Sequence, residues 1–427
     1  MNRKFALAGG LAVVATLTLA ACSGGTEPAP STDPDSQQPI TLTLSAWSVE
    51  TTPEFTTLAD AFHAKNENVT IELKEYDPAE YNTLVTADLA AGSGPDIITQ
   101  KEVKFVTTFQ EGGQLLDVSD VALPDGIGGV DSYTIDGASY AVPYRQDSWV
   151  LFYNKALFDA AGVDYPDGSW TWADFDAAAA ELTDGAVKGS YMHRWQSVVQ
   201  GFSNAQTGTD ILQGDYSSMK AYYDRVLALQ DDGAQIDFNT SSANQLTYQG
   251  EFGTQKAAML PMGTWYTATL IAQQASGESN DFEWGIAPIP QLSASTTGTP
   301  VTFGDPTGFG INANIDSAKA AAAKEFLAFA ASEEAAQLLA GIGITPALTN
   351  DTVAETYFGV DGAPTDDLSK FAWSTNEVLP ENPTSSKTAA IQGILGDMHT
   401  AIMSGSTDVD AAITDAQNRV ANEVGLD

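Results

Sequence analysis

The amino-acid sequence predicts an α/β protein built from two lobes. Segments in which apolar and polar side chains alternate, as in strands, take turns along the chain with segments whose apolar residues recur at helical spacing. About 390 residues remain after the N-terminal leader and linker, which is more than one compact core usually contains and suits two lobes.

The first elements establish this alternation. Residues 41–47 and 69–73 alternate as strands do, and an apolar stripe from Pro53 to Ala64 predicts a helix between them. The segment Asp77-Pro-Ala-Glu80 resembles a helix start, with Asp as N-cap and Glu at the third position, and predicts a helix that begins there. Residues 96–99 are a short apolar segment that predicts a third strand.

Helix-start signals recur further along the chain. The segment Thr171-Trp-Ala-Asp174 has the spacing of a capping box, and Asp316 and Ser332 are predicted N-caps of two more helices. Apolar stripes at residues 391–402 and 409–420 predict two helices near the C-terminus.

The N-terminus predicts export and lipid anchoring. Two basic residues precede about fifteen apolar ones, too few for a bilayer that needs about 20, so residues 1–21 are a predicted signal peptide. The segment Leu19-Ala-Ala-Cys22 resembles the processing site of bacterial lipoproteins, which implies a diacylglycerol anchor on Cys22. Cys22 is the single cysteine, so no intrachain disulfide can form. Residues 22–39 are rich in Pro, Ser and Gly and are a predicted flexible tether.

The chain carries a large negative charge. Without Arg3 and Lys4 of the signal peptide, 16 of the 18 basic residues remain against 56 acidic ones, a formal charge of −40. A field of this sign repels nucleic acid and anionic lipid, so neither is a predicted partner.

The sequence does not contain the common enzyme motifs. It has no phosphate-binding glycine loop and no Gly-x-Ser-x-Gly turn, and its histidines, His63, His193 and His399, are not at metal-ligand spacing. We therefore expect no cofactor, no metal site and no enzymatic activity. A glycoside hydrolase stays open as an alternative, because such an enzyme needs only two suitably spaced carboxylates.

A series of short motifs follows in order along the chain. They are Ala61-Phe-His-Ala-Lys-Asn66, Leu89-Ala-Ala-Gly-Ser-Gly-Pro-Asp-Ile-Ile98, Val142-Pro-Tyr144 with Leu151-Phe-Tyr-Asn-Lys155, Phe158-Asp-Ala-Ala-Gly-Val163 with Trp170-Thr-Trp172, Gly253-Thr-Gln-Lys-Ala-Ala-Met259 with Gly263-Thr-Trp265, Trp284-Gly-Ile-Ala-Pro-Ile-Pro290, Ala323-Lys-Glu-Phe-Leu-Ala-Phe329, and Ser332-Glu-Glu334. Together they resemble the extracellular solute-binding proteins of ABC importers, in particular those that bind maltodextrins and other oligosaccharides.

The resemblance implies a periplasmic-binding-protein-like fold of type II, in which two α/β lobes close about a hinge on a ligand between them. It assigns residues 40–145 plus 300–348 to lobe 1 and residues 146–299 plus 349–427 to lobe 2. It also implies a monomeric binding subunit that is tethered on the extracytoplasmic face of the cell membrane. Its implied partners are a carbohydrate, expected to be an oligosaccharide, and the transmembrane subunits of an ABC permease. A binding protein for a non-sugar solute stays a second alternative.

A neutral sugar requires aromatic faces for its apolar ring surface and planar polar side chains for its hydroxyl groups. The Gly-x-Trp motif makes Trp265 the predicted stacking platform, and Trp47 leaves the first strand at the end where α/β sheets bind ligands. Trp195 lies in a polar and aromatic cluster placed like the second-lobe aromatic of the family, and Tyr144 and Tyr266 complete the aromatic candidates. For each tryptophan, a place in a core is the alternative.

The polar candidates come from four segments, one of which is the predicted hinge strand that carries Arg145 and Asp147. They are Glu50, Gln100, Lys101, Glu102, Arg145, Asp147, Asp305 and Thr307. Asp147 is at the position of a sugar-binding acid in relatives, and an ion pair with Arg145 is its alternative role. Gln100 and Val103 stand where the family commonly has an aromatic residue and an aspartate, and this departure argues against a plain maltodextrin ligand.

Overall fold

The structure is a computed structural model and describes residues 38–50 and 52–425. The predicted signal peptide, Cys22 and the predicted tether up to residue 37 lie outside the described residues. From Pro39 onwards the chain forms one compact unit. Among the helices in residues 38–50 and 52–425, none is long and apolar enough to cross a bilayer.

The strands of the described chain are β1 (Ile40–Ala46), β2 (Val69–Glu75), β3 (Ile97–Gln100), β4 (Thr134–Ile135), β5 (Ala138–Ser139), β6 (Val142–Gln146), β7 (Trp149–Asn154), β8 (Lys188–Ser190), β9 (Ala257–Gly263), β10 (Trp284–Pro288), β11 (Val301–Phe303), β12 (Pro306–Ile311) and β13 (Glu377–Leu379).

Its α-helices are α1 (Glu54–Lys65), α2 (Tyr81–Ala90), α3 (Val106–Glu111), α4 (Lys155–Ala161), α5 (Trp172–Leu182), α6 (Ser197–Thr207), α7 (Met219–Asp231), α8 (Phe238–Ala243), α9 (Tyr248–Phe252), α10 (Trp265–Ser276), α11 (Ser317–Ala330), α12 (Glu333–Ala340), α13 (Asp351–Phe358), α14 (Asp367–Ser374), α15 (Thr388–Met403) and α16 (Val409–Arg419).

A five-stranded sheet organises one lobe, which we call the five-stranded lobe. Its order is β2-β1-β3-β12-β6; β1 runs parallel to β2 and β3, whereas β12 runs antiparallel to β3 and β6. One core, which includes Phe55 and Phe326, joins the sheet to α1, α11 and α12. A second core, which includes Val85 and Phe109, joins it to α2 and α3.

A four-stranded sheet organises the other lobe, which we call the four-stranded lobe. Its order is β10-β7-β9-β8; β7 runs antiparallel to both of its neighbours, and β8 runs parallel to β9. One large core joins this sheet to helices α5, α6, α7, α10, α15 and α16 through residues such as Phe175, Phe202, Tyr223, Leu270 and Leu395. The predicted α/β class is therefore confirmed.

The chain changes sheets close to residue 147. Only Asp147 and Ser148 separate β6 of the five-stranded sheet from β7 of the four-stranded sheet. A second connection runs from β11, which packs on α6 and pairs in parallel with β13, into β12. Further along, α13 packs on α12 and α14 packs on β10. The lobe boundaries predicted at residues 146, 300 and 349 stay a prediction.

The helix starts agree with the sequence signals except at one place. Thr171 and Asp174 form the predicted capping box, and Asp316 and Ser332 accept bonds from backbone N–H groups as N-caps. The predicted helix start at Asp77 is wrong, because α2 begins at Tyr81. The Asp77 carboxylate instead accepts N–H bonds from the two residues after Pro78 and closes a local turn, an alternative to helix that a short acidic side chain offers.

Candidate functional site

The topology brings one end of each sheet to the connection between the lobes. Trp47 follows β1 and Lys101 follows β3, at the carboxyl ends of parallel strands. Because β12 runs antiparallel to β3, Asp305 at its start lies at this same edge, with Gly308 paired to Gln100. In open α/β sheets, ligands bind outside the carboxyl ends of the strands.

The corresponding edge of the four-stranded sheet carries a group of aromatic side chains. We call Trp149, His193, Trp195, Tyr248 and Trp265 the aromatic wall. The Trp149 ring meets Trp265 edge to face at 5.4 Å and Trp195 at 6.4 Å, and Trp195 meets His193 at 4.5 Å and Tyr248 at 5.8 Å. Trp149 is buried, Tyr248 and Trp265 are half-buried, and Trp195 is 41% exposed.

The Gly-x-Trp motif has a direct structural reason. Trp265 begins α10, and its indole ring folds back over Gly263, the last residue of β9. A Cβ atom on Gly263 would lie 1.9 Å from an atom of the Trp265 ring. Only glycine therefore leaves room for this ring orientation.

Trp47 is held by aromatic edges and covered by a cation. Its ring meets Phe55 at 4.9 Å and Tyr81 at 5.1 Å, both edge to face. The Lys101 ammonium lies 5.4 Å from the Trp47 ring centroid and donates to the carbonyl of Pro78. Burial lowers the pKa of Lys101. Trp47 and Lys101 thus form one packed unit at the edge of the five-stranded sheet.

A buried chain of polar groups joins the two sheet edges. Arg145 donates through Nη1 to Glu54 and through Nε to Asp147, each at 2.5 Å, and the other oxygen of Asp147 accepts a 2.7 Å bond from the Thr264 hydroxyl. The hydroxyl of Tyr144 donates to Glu54 at 3.1 Å. All five residues are buried, and burial raises the pKa of Glu54 in spite of the neighbouring guanidinium. The predicted pair of Arg145 and Asp147 therefore exists, but inside the protein.

A second polar cluster contains the predicted residues Glu102 and Asp305. The backbone N–H of Glu381 donates to Asp305 at 2.8 Å, and the Glu381 carboxylate accepts from the hydroxyl of Ser197 at the start of α6. Lys104 pairs with Glu102 at 2.7 Å. Burial, followed by the charges of Glu381 and Glu102, raises the pKa of Asp305 to about 8. This cluster combines side chains from both lobes.

The remaining predicted residues lie at different depths. Gln100 is buried, and neither of its amide atoms has a partner among the described residues. Thr307 is buried opposite Arg145 in the β12–β6 ladder. Tyr266 is buried behind Tyr248, with ring centroids 5.0 Å apart, so it supports the aromatic wall from the core side. Glu50 is exposed in the turn after β1.

Comparison with known proteins decides the family. The sequence matches the bacterial extracellular solute-binding proteins over residues 47–337, more than half of the chain. The chain belongs to this family. Both the predicted family and the predicted two-lobed, periplasmic-binding-protein-like fold are confirmed.

Individual relatives agree with this assignment. A sugar transporter from Rhizobium etli, solved in an open conformation, is 33% identical with a TM-score of 0.78, covering 90% of this chain and 99% of its own. An ABC substrate-binding protein from Listeria monocytogenes, solved in complex with cycloalternan, shares the fold with a TM-score of 0.78. It is 19% identical, and the match covers 91% of this chain and 100% of that protein's chain. A protein of Brucella abortus described as a binding protein is 24% identical over 274 residues, 62% of this chain, and the chain spans 66% of that protein's length.

Sequence reasoning missed several residues of the candidate site. Tyr248, Glu54, Lys104 and Glu381 were not among the predicted site residues, although each contacts one that was. For Glu381 the sequence offers a hint of a role in the site. This residue lies between two prolines in a polar segment that leads into a helix. Within the described part of the chain, no group of three or more His, Cys, Asp and Glu side chains is arranged to hold a metal ion.

The His193 imidazole in the aromatic wall is uncharged at neutral pH. Burial, followed by the charge of Arg194, lowers the pKa of His193 to about 4. Its Nδ1 lies 3.1 Å from the hydroxyl of Tyr191, which fixes the ring against Trp195. The wall of this solute-binding protein therefore keeps the same charge across the physiological pH range.

We expect Gly263→Ala to weaken ligand binding more than it weakens folding. The added methyl group would force the Trp265 ring to turn away from its place over β9. Calorimetric titration with the glycan identified by the screen described below should show a loss of affinity. Gly277→Ala is the control, because Gly277 ends α10 at positive φ and an added Cβ there meets no neighbour. Equal affinities of wild type and Gly263→Ala would contradict this account of the motif.

We expect Asp305→Asn to stabilise the protein in alkaline solution and to have little effect in acid. The ordinary pKa of an Asp side chain is about 3.9, whereas Asp305 has a pKa of about 8 in the folded chain. A carboxyl group whose pKa is raised by folding contributes its full stability below its unfolded pKa and loses it as the pH rises through the folded one. An asparagine keeps the oxygen that accepts the Glu381 N–H bond.

Thermal unfolding followed by circular dichroism between pH 4 and pH 9 checks this prediction. The melting temperature of Asp305→Asn should equal that of wild type near pH 4 and exceed it near pH 8.5. Asp117→Asn is the control, because the hydroxyl and N–H of Ser119 lower the pKa of Asp117, so the difference between this variant and wild type should stay constant above about pH 4. A difference between Asp305→Asn and wild type that is the same at every pH would count against a raised pKa.

Proposed function

We propose that this chain is the lipid-anchored substrate-binding subunit of an ABC transporter. It captures a carbohydrate, specifically an oligosaccharide, in the cleft between its two lobes and delivers it to a membrane permease. The transmembrane permease subunits and the ATPase are other chains, and the binding subunit is a monomer on the extracytoplasmic face of the cell membrane.

The observation that carries this proposal is the aromatic wall. Trp195 is among the few large apolar side chains that the described chain exposes, and it lies beside the half-buried faces of Trp265 and Tyr248. A contiguous exposed apolar patch often marks a binding site. Flat aromatic faces next to one another suit the apolar faces of successive sugar rings, which favours an oligosaccharide.

The second polar cluster suits hydroxyl-rich ligands. Lys104 is a cationic donor and Glu102 an anionic acceptor, and the carboxyl groups of Asp305 and Glu381, whose pKa values burial raises, lie in the same cluster. Charged donors and acceptors form the stronger hydrogen bonds, and a few of them at one site fix the orientation of a ligand. The similarity to a sugar transporter from Rhizobium etli at 33% identity supports a carbohydrate over a non-sugar solute.

A thermal-shift screen of the purified chain tests the proposal. The panel should contain mono-, di- and longer saccharides of α and β linkage, with glycerol 3-phosphate and a polyamine as non-sugar solutes. A ligand present at about 100 times its dissociation constant stabilises the folded state by about 2.7 kcal/mol. We expect an oligosaccharide to raise the melting temperature more than its component monosaccharide does.

Two outcomes of this screen would overturn the proposal. One is a shift caused by a non-sugar solute with none from any glycan. The other is turnover of a glycan, seen as new products by chromatography after incubation with the protein, which would favour the glycoside hydrolase.

Lipid anchoring gives a separate prediction. Cys22→Ser should yield protein that carries no lipid and is released from the membrane, because the thioether bond needs the Cys22 thiol and no other anchor is predicted. Metabolic labelling with a fatty acid, followed by fractionation with a carbonate wash, measures both properties. Variant protein that still sediments with the membranes after the wash would show that the anchor is elsewhere.

A further inference from the structure

We infer that Asp147 is a positioning residue, which fixes Trp265 relative to the five-stranded lobe through its bond to Thr264. This inference deepens the proposed function and rests on it for the role of Trp265. It also assigns Asp147 a task other than direct contact with a ligand.

Both oxygens of the Asp147 carboxylate are already occupied by protein groups. One accepts from Arg145 at 2.5 Å and the other from Thr264 at 2.7 Å, and the residue is only 5% exposed. Arg145 in turn reaches Glu54 at the start of α1, whose neighbour Phe55 packs on Trp47. A continuous chain of contacts therefore runs from Trp47 to the residue that precedes Trp265.

Thr264 is the point where this chain meets the aromatic wall. It is fully buried between the end of β9 and the start of α10, and its N–H donates to the carbonyl of Ser148 at 2.9 Å. Its hydroxyl lies 3.3 Å from the Ser148 N–H, which donates to it. Trp265 follows directly and lies over Gly263. The bond from Thr264 to Asp147 therefore fixes the helix end that carries the indole ring.

Asp147 is also the place where two connections between the lobes touch. A Cβ atom on Gly304, just before β12, would lie 2.0 Å from the Asp147 carbonyl oxygen. The Gln146 amide donates to the Gly304 carbonyl at 3.1 Å. Because the two connections are in contact here, a change in the direction of one chain at Asp147 must move the other. The position of Asp147 thus suits a residue that sets the relation between the lobes.

The test compares a variant that loses the Thr264 hydroxyl group with one that keeps it. Thr264→Val removes the donor to Asp147 together with the acceptor of the Ser148 N–H and keeps the shape of the side chain, whereas Thr264→Ser keeps both bonds. Thr99→Val is the matched control, because Thr99 is equally buried and donates to the carbonyl of Ser45 inside the five-stranded lobe. The full-length chain is purified in detergent and measured without ligand, so the result does not depend on which solute the protein binds.

Hydrogen–deuterium exchange is the first measurement. Loss of one hydrogen bond changes a local opening equilibrium by up to about tenfold. Thr264→Val also removes the acceptor of the Ser148 N–H, so this amide is left out of the comparison. We expect Thr264→Val to speed exchange by up to about this factor at residues 145–149 and 263–267, with residues 69–75 of β2 unchanged. Thr264→Ser and Thr99→Val should leave exchange at residues 263–267 at the wild-type rate.

Tryptophan emission is the second measurement, because it reports on the surroundings of the Trp265 ring. If the Thr264 bond only stabilised the fold, its loss would leave this emission unchanged. Subtracting the spectrum of the matching Trp265→Phe variant isolates the Trp265 signal. We expect this signal to move to longer wavelength in Thr264→Val and to stay in place in Thr264→Ser. Unchanged exchange with unchanged Trp265 emission would overturn the inference, and so would faster exchange spread equally over both lobes.

If Thr264→Val does not fold, Asp147→Asn replaces it in the same measurements. The variant keeps an oxygen for Thr264 and loses the charge that pairs with Arg145. We then expect faster exchange at residues 145–149 with the Trp265 emission retained. A Trp265 emission that moves to longer wavelength in Asp147→Asn, although the bond to Thr264 is kept, would overturn the inference.

Discussion

Replacing Arg145 with Met is expected to lower the free energy of unfolding by about 3–5 kcal/mol, because it leaves two carboxylates without their cation inside the protein. Glu54 and Asp147 both bond to this guanidinium, and both are buried. Urea unfolding at pH 7, analysed by linear extrapolation, measures the loss. Because burial already raises the pKa of Glu54, the loss should be smaller at pH 5, where this carboxyl can take up a proton.

Arg419→Met is the control for this prediction. Arg419 also pairs with two acids, Asp397 and Glu423, but these carboxylates are exposed. Exposed ion pairs contribute about 0–1 kcal/mol, so this variant should unfold almost as wild type does. Similar small losses for both variants would show that the Arg145 network does not hold the connection between the lobes together.

Trp265→Ala is expected to lower ligand affinity by roughly thirtyfold, through the loss of a stacking face that contributes about 2 kcal/mol. The ring is only half-buried, so the melting temperature of the free protein should fall little. If Trp265 were a core residue, the substitution would instead cost about 3–5 kcal/mol of stability. Calorimetric titration and thermal unfolding of the same sample distinguish the two roles.

Trp373→Ala is the matched control for the aromatic platform. Trp373 is also half-buried, and it packs on Tyr357 at 5.0 Å, outside the aromatic wall. This variant should lose some stability and keep the wild-type affinity. A large loss of stability with intact affinity for Trp265→Ala would contradict the stacking role.

Periodicity and caps were sufficient to predict strands β1, β2 and β3 and helices α1, α2, α5, α11, α12, α15 and α16. Thr171, Asp316 and Ser332 start their helices as predicted because a cap is decided by atoms within four residues. The exception, Asp77, is also decided by local contacts. Its side chain can cap a helix or close a turn, and the sequence pattern does not show which conformation has the lower free energy.

The site was harder to predict because its chemistry depends on distant partners. Arg145 and Asp147 are close in sequence, but Glu54 lies about 90 residues earlier on α1 and resembles an ordinary acidic residue of a first helical turn. Glu381 meets Asp305 only because β13 pairs with β11. The Gly-x-Trp motif, in contrast, could be recognised from sequence, since the glycine and the tryptophan that it accommodates are two residues apart.

Small-angle scattering of the purified chain, with and without the glycan that stabilises it most, tests the central claim most directly. If the two lobes close on a carbohydrate between them, the radius of gyration should decrease at saturating glycan for wild type. For Trp265→Ala, the same decrease should require a roughly thirtyfold higher glycan concentration. A radius that stays constant while calorimetry shows saturated binding would contradict capture in the cleft between the lobes.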